Sequence, residues 1–193
     1  MDRRAHIKKL MALGAASVAP AALGAGTERS EKAAVKSERA FGYKRSVSHW
    51  TVDDLDWDDL CGWLVQEGVE AVDLVGPENW HHLKKHGLDS SMCNGAELNL
   101  VDGFIHEEFE GVLHERYNAM IPRVAKAGYE NLICFSGNRR GLSEEEGLEQ
   151  AVKALQPMVA LAEEHGVVLQ MELFNSIVDH PDYMADSSRW GIE

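Results

Sequence analysis

Glu172 is the residue in this chain best placed to do chemistry. It interrupts the apolar run Val167-Val168-Leu169-Gln170-Met171-Glu172-Leu173-Phe174-Asn175-Ser176, which begins just after a helix stop at His165-Gly166 and reads as a short buried strand. Side chains alternate faces along a strand. Val168, Gln170, Glu172 and Phe174 therefore share one face, and Val167, Leu169, Met171 and Leu173 share the other, wholly apolar one. A buried glutamate is costly unless it is paired, hydrogen-bonded or bound to a metal. Two readings stand side by side: a working carboxylate, or a strand-end glutamate that reaches solvent. A working carboxylate at this place can act as a general acid or base.

Other polar residues gather where strands are predicted to end: His49, Asp73, Asn94, Asn138, Arg139 and Asn175. His49 can bind a substrate hydroxyl or carbonyl, or simply be hydrogen-bonded at a strand end. Asp73 reads as structural rather than functional, since an inward acid near a strand end can accept backbone bonds. Arg139 and Arg140 suit an anionic substrate such as an α-keto acid, and surface ion pairing is the competing use for either. Asn138 and Asn175 are neutral donors at the rim. Trp50 and Trp80 read as packing residues.

The elements that must position these side chains alternate strictly. The first strand spans about Tyr43 to His49, with Arg45, Val47 and His49 on one face, and Val47, Val168 and Phe174 are assigned to the inward face of the sheet. Thr51 to Asp54 offers an N-cap before a helix carrying Leu60, Trp63 and Leu64. Val69–Val75 is the second strand, and Trp80–His86 is a short helix stopped by Gly87. A weaker third strand is Ser91–Gly95, and a long loop runs from Ala96 to Ile105. His106–Ala127 is the longest helix, with Phe109, Leu113, Tyr117, Ile121 and Val124 as its stripe. Asn131–Ser136 is the fourth strand. Ser143 and Glu146 form a capping box for a helix whose predicted stripe is Leu148, Val152, Leu155, Val159 and Ala162. The organising strand is the fifth, and a further helix is expected to start at His180-Pro181-Asp182-Tyr183.

Alternating strands and helices, with strands apolar on both faces, mean parallel βα units. No glycine-rich phosphate fingerprint follows the first strand, where Ser48-His49-Trp50-Thr51 stands instead. Polar residues at the C-terminal strand ends fit a β/α barrel. The expected fold class is α/β, of the TIM-barrel type, with about five of eight βα units in residues 41–193. The chain therefore reads as C-terminally truncated, with two open strand edges that favour homo-oligomers or looser association.

The 193 residues carry 32 acidic and 19 basic side chains, a net charge of -13. That opposes a nucleic-acid or anionic-membrane surface. Cys61, Cys93 and Cys134 fit neither a disulfide framework nor a zinc site and read as small buried hydrophobes. Arg3-Arg4-Ala5-His6-Ile7-Lys8 precedes a run rich in Ala, Gly, Leu, Val and Met from Leu10 to Gly26. This reads as a twin-arginine-type signal peptide over residues 1–26, with an amphipathic N-terminal helix as the alternative; the signal implies an exported, periplasmic or secreted protein with no membrane attachment after cleavage. Residues 27–40 are charged, lack an apolar stripe and read as a disordered linker.

With these residues in view, the sequence resembles the xylose-isomerase-like TIM barrels, the sugar phosphate isomerase/epimerase group, and within it hydroxypyruvate-isomerase-like proteins. The carrying segments are Ser46-Val47-Ser48-His49-Trp50, Ala71-Val72-Asp73-Leu74-Val75-Gly76-Pro77 with Trp80, and Leu83-Lys84-Lys85-His86-Gly87-Leu88. Cys134-Phe135-Ser136-Gly137-Asn138-Arg139-Arg140-Gly141 and Met171-Glu172-Leu173-Phe174-Asn175-Ser176 complete them. The resemblance implies a divalent metal such as magnesium or manganese. It also implies proton transfer through an enediol in a small hydroxy-carbonyl acid or sugar. Glu172 matches the fifth-strand acid/base residue and metal ligand. The remaining ligands are expected from strands six to eight, so the truncation implies impaired activity. His49, Asn138, Arg139 and Asn175 stand as the substrate-binding candidates. A non-catalytic exported carbohydrate-binding barrel fragment is the alternative, and an endonuclease of the same barrel group is opposed by the acidic charge.

Overall fold

The computed structural model describes residues 43–193. The signal peptide expected at 1–26 and the linker at 27–40 lie outside the described residues. Five parallel strands form one sheet: β1 (Ser46–Ser48), β2 (Ala71–Val75), β3 (Asp89–Cys93), β4 (Asn131–Cys134) and β5 (Val168–Met171). Between and after them run a 3-10 turn (His49–Thr51), α1 (Trp57–Gln66), α2 (Trp80–His86), α3 (Glu107–Ala127), α4 (Glu144–His165) and α5 (Ser188–Ile192). The strand order is β1-β2-β3-β4-β5, each paired in parallel with its neighbour in sequence. A doubly wound sheet reverses its winding at a switch point. This sheet never reverses, which is the winding of a β/α barrel. Among the described residues, β1 and β5 are its edges.

Local sequence accounts for most boundaries. Asp56 caps α1 by accepting from the backbone N–H groups of Asp58 and Asp59. Ser143 and Glu146 make the reciprocal capping box of α4. Gly87, Gly128 and Gly166 each end a helix in the left-handed conformation, at φ 72°, 83° and 67°, which costs glycine little.

The main core lies between the sheet and the helices. Val72, Cys93, Leu132 and Cys134 from the strands meet Leu60, Leu64, Leu83, Leu113, Tyr117, Ile121, Val124 and Met158 from the helices. All three cysteines are buried free thiols, and burial pushes Cys134 up to about 12. A second cluster sits at the C-terminal ends of the strands, where Ile133 and Phe135 meet Tyr183, Met184 and Trp190.

Four sequence expectations are corrected. The first strand is shorter than 43–49 and its face is reversed. Val47 packs against the helix-side core, so Ser46 and Ser48, not Arg45 and His49, point the other way; Thr51 Oγ1 donating to the Ser48 carbonyl at 2.7 Å turns the chain at His49. The third strand covers 89–93, which leaves Asn94 beyond its end. On α4 the buried stripe is Gly147, Ala151, Ala154, Met158 and Ala162. Val152 and Val159 stay 46% and 40% exposed, because the helix is seated by small residues that let it approach closely. A Cβ at Gly147 would lie 2.3 Å from Met184 Cε. No helix starts at His180. That segment makes a turn, closed by the Tyr183 N–H donating to the His180 carbonyl at 3.0 Å, and then pairs Tyr183 with Asn138 in an antiparallel bridge.

Candidate active-site groove

A groove of about 280 Å³ opens on the sheet face turned away from the helices. It is lined by Ser48, Asp73, Leu74, Ser91, Met92, Ile133, Gln170, Met171 and Glu172. Every strand contributes to it.

Asp73 reaches the groove through an irregularity in β2. The β2–β3 register slips between Val72 and Asp73 and again between Asp73 and Val75. Leu74 between them has φ 60°, a conformation that costs a branched side chain of order 1 kcal/mol or more. Bulges of this kind re-aim side chains near functional sites. Here both Asp73 and its neighbour Leu74 face the groove. Ser46 Oγ donates to Asp73 Oδ2 at 3.1 Å, and Ser91 Oγ donates to Oδ1.

The floor is a chain of amides. Cys93–Leu132 is the one register pair joining β3 to β4. Asn131 Nδ2 supplements it by donating to the Ser91 carbonyl at 2.9 Å, and Gln170 Nε2 donates to Asn131 Oδ1 at 2.7 Å. Gln170 and Glu172 point into the groove together while Leu169 packs on the helix side, as the alternation of the fifth strand predicts.

Glu172 lies one residue past β5 and extends the ladder, its N–H donating to the Cys134 carbonyl at 3.1 Å. Its backbone is further held by Tyr183, whose hydroxyl donates to the Glu172 carbonyl at 3.2 Å and accepts from the Ser136 N–H at 3.0 Å. Tyr183 is completely buried. Partial burial raises the Glu172 carboxyl above its ordinary 4.5; the charge of His180 opposes that rise and the negative charge of Asp73 adds to it. The Tyr183 phenol is pushed up to about 12, chiefly by burial.

The other sequence candidates stand elsewhere. His49 stacks on Trp57 with ring centroids 4.1 Å apart, on the helix side, and its burial lowers its proton affinity against the opposing charge of Asp53. Arg139 is drawn away by Asp186 at 3.1 Å and Glu144 at 3.6 Å. Arg140 pairs with Asp102 and, at 3.9 Å, with Glu108. Asn138 bridges Tyr183 through its backbone. Asn175 is exposed and turns its Oδ1 back to the N–H groups of Ile177 and Val178 at 2.9 and 3.3 Å. None of these five lines the groove. Ser91, Asn131 and Tyr183 were not singled out by sequence; the inward phase of β3 and β4 and the course of the chain after β5 make them part of the site.

For a divalent metal, Glu172 offers a half-buried hard oxygen donor of the right kind. Among the described residues no group of three or more His, Cys, Asp or Glu side chains is arranged to hold an ion. The residues present therefore fit one ligand of such a site.

No protein-family model matches the sequence, and no curated protein matches it. Solved structures share the fold. The IolI protein with a bound zinc atom superposes with a TM-score of 0.62 at 13% identity, over 77% of this chain and 56% of that one. The family 2 AP endonuclease of Brucella melitensis gives 0.60 at 14% identity, over 74% and 59%. D-psicose 3-epimerase of Clostridium cellulolyticum H10, solved with D-tagatose, gives 0.59 at 13% identity, over 78% and 58%. The fold is thus of the β/α-barrel type that these structures share. This chain spans somewhat less than three-fifths of the length of these neighbours.

Proposed function

We propose that this protein is an isomerase or epimerase of small hydroxy-carbonyl compounds, working by proton transfer through an enediol at Glu172. The observation that carries the reading is the Glu172 carboxylate itself. It sits at the C-terminal end of the fifth strand, faces the groove, and is pushed by burial toward higher proton affinity. A carboxylate of raised pKa is a stronger base, and removal of a proton beside a carbonyl needs one placed over the C–H. In an isomerisation Glu172 takes the proton from the hydroxyl-bearing carbon and returns it to the former carbonyl carbon, while the hydroxyl proton passes from one enediolate oxygen to the other. Gln170 and Ser91 supply neutral hydrogen bonds along the wall, and Tyr183 holds the base in register through its backbone. A divalent cation, held in part by Glu172, would supply positive charge beside the developing enediolate oxygen.

Hydroxypyruvate isomerisation is the finer form of this proposal, carried over from the sequence resemblance. A carbohydrate-binding role without turnover is the alternative, and Glu172→Gln separates the two. Turnover of a panel of ketoses and hydroxypyruvate, measured with magnesium or manganese present, falls steeply in the variant if Glu172 is the base. Unchanged turnover places the chemistry elsewhere. The twin-arginine export of the precursor remains part of the proposal. Replacing Arg3 and Arg4 by lysine should hold the precursor in the cytoplasm, and unaltered export of that variant would sink this element.

A further inference from the structure

We propose that His180 is a further catalytic residue, whose imidazole relays the hydroxyl proton between the two enediolate oxygens while Glu172 works on carbon. The inference rests on the isomerase reading of the groove and assigns the proton step that Glu172 alone leaves open.

Isomerisation moves one proton between carbons and another between oxygens. Glu172 faces the groove and serves the first. The second needs a group that gives and takes a proton near neutral pH, which is the ordinary capacity of histidine. The other polar groups around Glu172 are engaged or unsuited. Ser46 and Ser91 each occupy one oxygen of Asp73. Gln170 is an amide bound to Asn131. The Tyr183 phenol is completely buried, bonded to Ser136 and Glu172, and pushed up to about 12.

The loop after β5 folds back and brings His180 toward Glu172. Phe174 shares the strand phase of Glu172 and joins the apolar cluster to which the groove residues Leu74, Met92 and Ile133 belong. Its ring seats the imidazole, with centroids 4.4 Å apart, and is itself met edge-on by Tyr183 at 4.8 Å. Backbone bonds close the loop around this stack. The His180 N–H donates to the Asn175 carbonyl at 3.0 Å, and the His180 carbonyl accepts from the Tyr183 N–H at 3.0 Å. Tyr183 also donates to the Glu172 carbonyl, so one residue anchors both the base and the imidazole. The charge of His180 is felt at the Glu172 carboxyl, where it opposes the effect of burial. The His180 side chain is half-buried, and among the described residues no hydrogen bond or ion pair engages its ring.

The step balances within the site. An imidazolium gives its proton to the carbonyl oxygen as Glu172 removes the C–H proton, and the C–H electron pair becomes the carbon–carbon double bond of the enediol. The neutral imidazole then takes the proton of the other hydroxyl, whose oxygen becomes the new carbonyl as Glu172 protonates the former carbonyl carbon. Both residues end in the protonation states in which they began.

Two reactions of hydroxypyruvate separate the roles, followed by NMR in D2O at pH 7 with magnesium present. Exchange of its C3 hydrogens for deuterium reports the carbon step, and isomerisation to the aldehyde reports both steps. His180→Gln should lower isomerisation about 10²- to 10⁴-fold, the range of general acid–base catalysis, with KM little changed and exchange reduced much less. Added imidazole should restore part of the isomerisation of His180→Ala by entering the vacated place on Phe174. Phe174→Leu keeps the imidazole and removes its seat; it should give the same split in weaker form, and it serves where the His180 variants misfold. Unchanged isomerisation in a folded His180 variant overturns the proposal. So does a raised KM at unchanged kcat, or an equal fall of exchange and isomerisation without imidazole rescue, which would make His180 a support for the loop. Glu172→Gln keeps the two readings apart. Exchange at the parent rate in that variant defeats Glu172 as the base, whereas a selective loss of isomerisation in His180→Gln still supports His180. A parent that neither exchanges nor isomerises overturns both.

Discussion

On the helix side of the sheet, Val72, Leu132 and Cys134 are almost fully buried among the apolar side chains of α1 to α4. On the groove side the same strands carry Ser46, Asp73, Ser91, Asn131, Gln170 and Glu172. There, side-chain hydrogen bonds link Ser46, Asp73 and Ser91, and Ser91, Asn131 and Gln170. The helix side is held by burial, which is non-directional and proportional to area. The groove side is held by directional bonds and leaves Glu172 partly desolvated at a cost to stability. Stability and chemistry are thus assigned to opposite faces of one sheet, one residue apart along each strand.

The largest effect that tests this division belongs to Glu172→Gln. Loss of a general base lowers turnover by about 10²- to 10⁴-fold, measured with the parent's best substrate. The stability effect has the opposite sign. The folded-state carboxyl binds its proton more tightly than the unfolded chain's, whose ordinary value is 4.5. The folded state therefore pays at pH values above the raised one and pays nothing below the unfolded one. With a chelator present, thermal melts should place the glutamine variant above the parent at pH 7, with the gap closing as the pH falls from the raised value toward 4.5. A variant less stable than the parent at pH 7 would mean that Glu172 holds the fold.

Leu132→Ala on the helix side comes next. A fully buried leucine in the main core should cost about 2–5 kcal/mol by denaturant unfolding. Its effect on substrate binding, in molecules that remain folded, should be nil. Asn131→Ala, one residue earlier and on the other face, removes the bonds to Ser91 and Gln170. It should cost about 1–3 kcal/mol and weaken ketose binding as the floor loosens. Equal behaviour of the two neighbours in both assays would erase the distinction between the faces.

The smallest effect is expected on the outer surface. Asp58 on α1 meets His82 at 3.0 Å, Lys85 at 2.5 Å and His86 at 3.2 Å on α2. Lys85 and His82 hold its carboxyl well below the usual range, with His86 adding to the effect. A depressed carboxyl stabilises above its unfolded value of 3.8, and the contribution is lost as the pH falls through the folded value. Asp58→Asn should lower the melting temperature slightly at pH 7, less in high salt because the group is exposed. The difference should shrink as the pH drops below 3.8. Substrate binding should not change.

Local patterns in the chain determined a great deal. The glycine stops at Gly87, Gly128 and Gly166, the capping box of Ser143 and Glu146, and the inward phase of Gln170 and Glu172 depend on neighbours within a few residues, and the structure agrees with each. The parallel βα order was legible for the same reason, as a repeated alternation of short strands and helices. Tertiary structure alone decided the rest. The face of β1 turned on which of Val47 or Ser46 packs against α1 and α2, and three residues carry too little pattern to say. The stripe of α4 turned on how closely the helix must approach Met184, which makes Gly147 and Ala151 the contact instead of Val152 and Val159. Arg139 was taken from the site by Asp186, 47 residues away in sequence, and Tyr183 reached Ser136 over the same separation. Asp73 entered the site through a backbone irregularity at a leucine, a residue type that gives no local sign of positive φ. Each of these depends on contacts between segments far apart in the chain, whose partners only the folded arrangement selects.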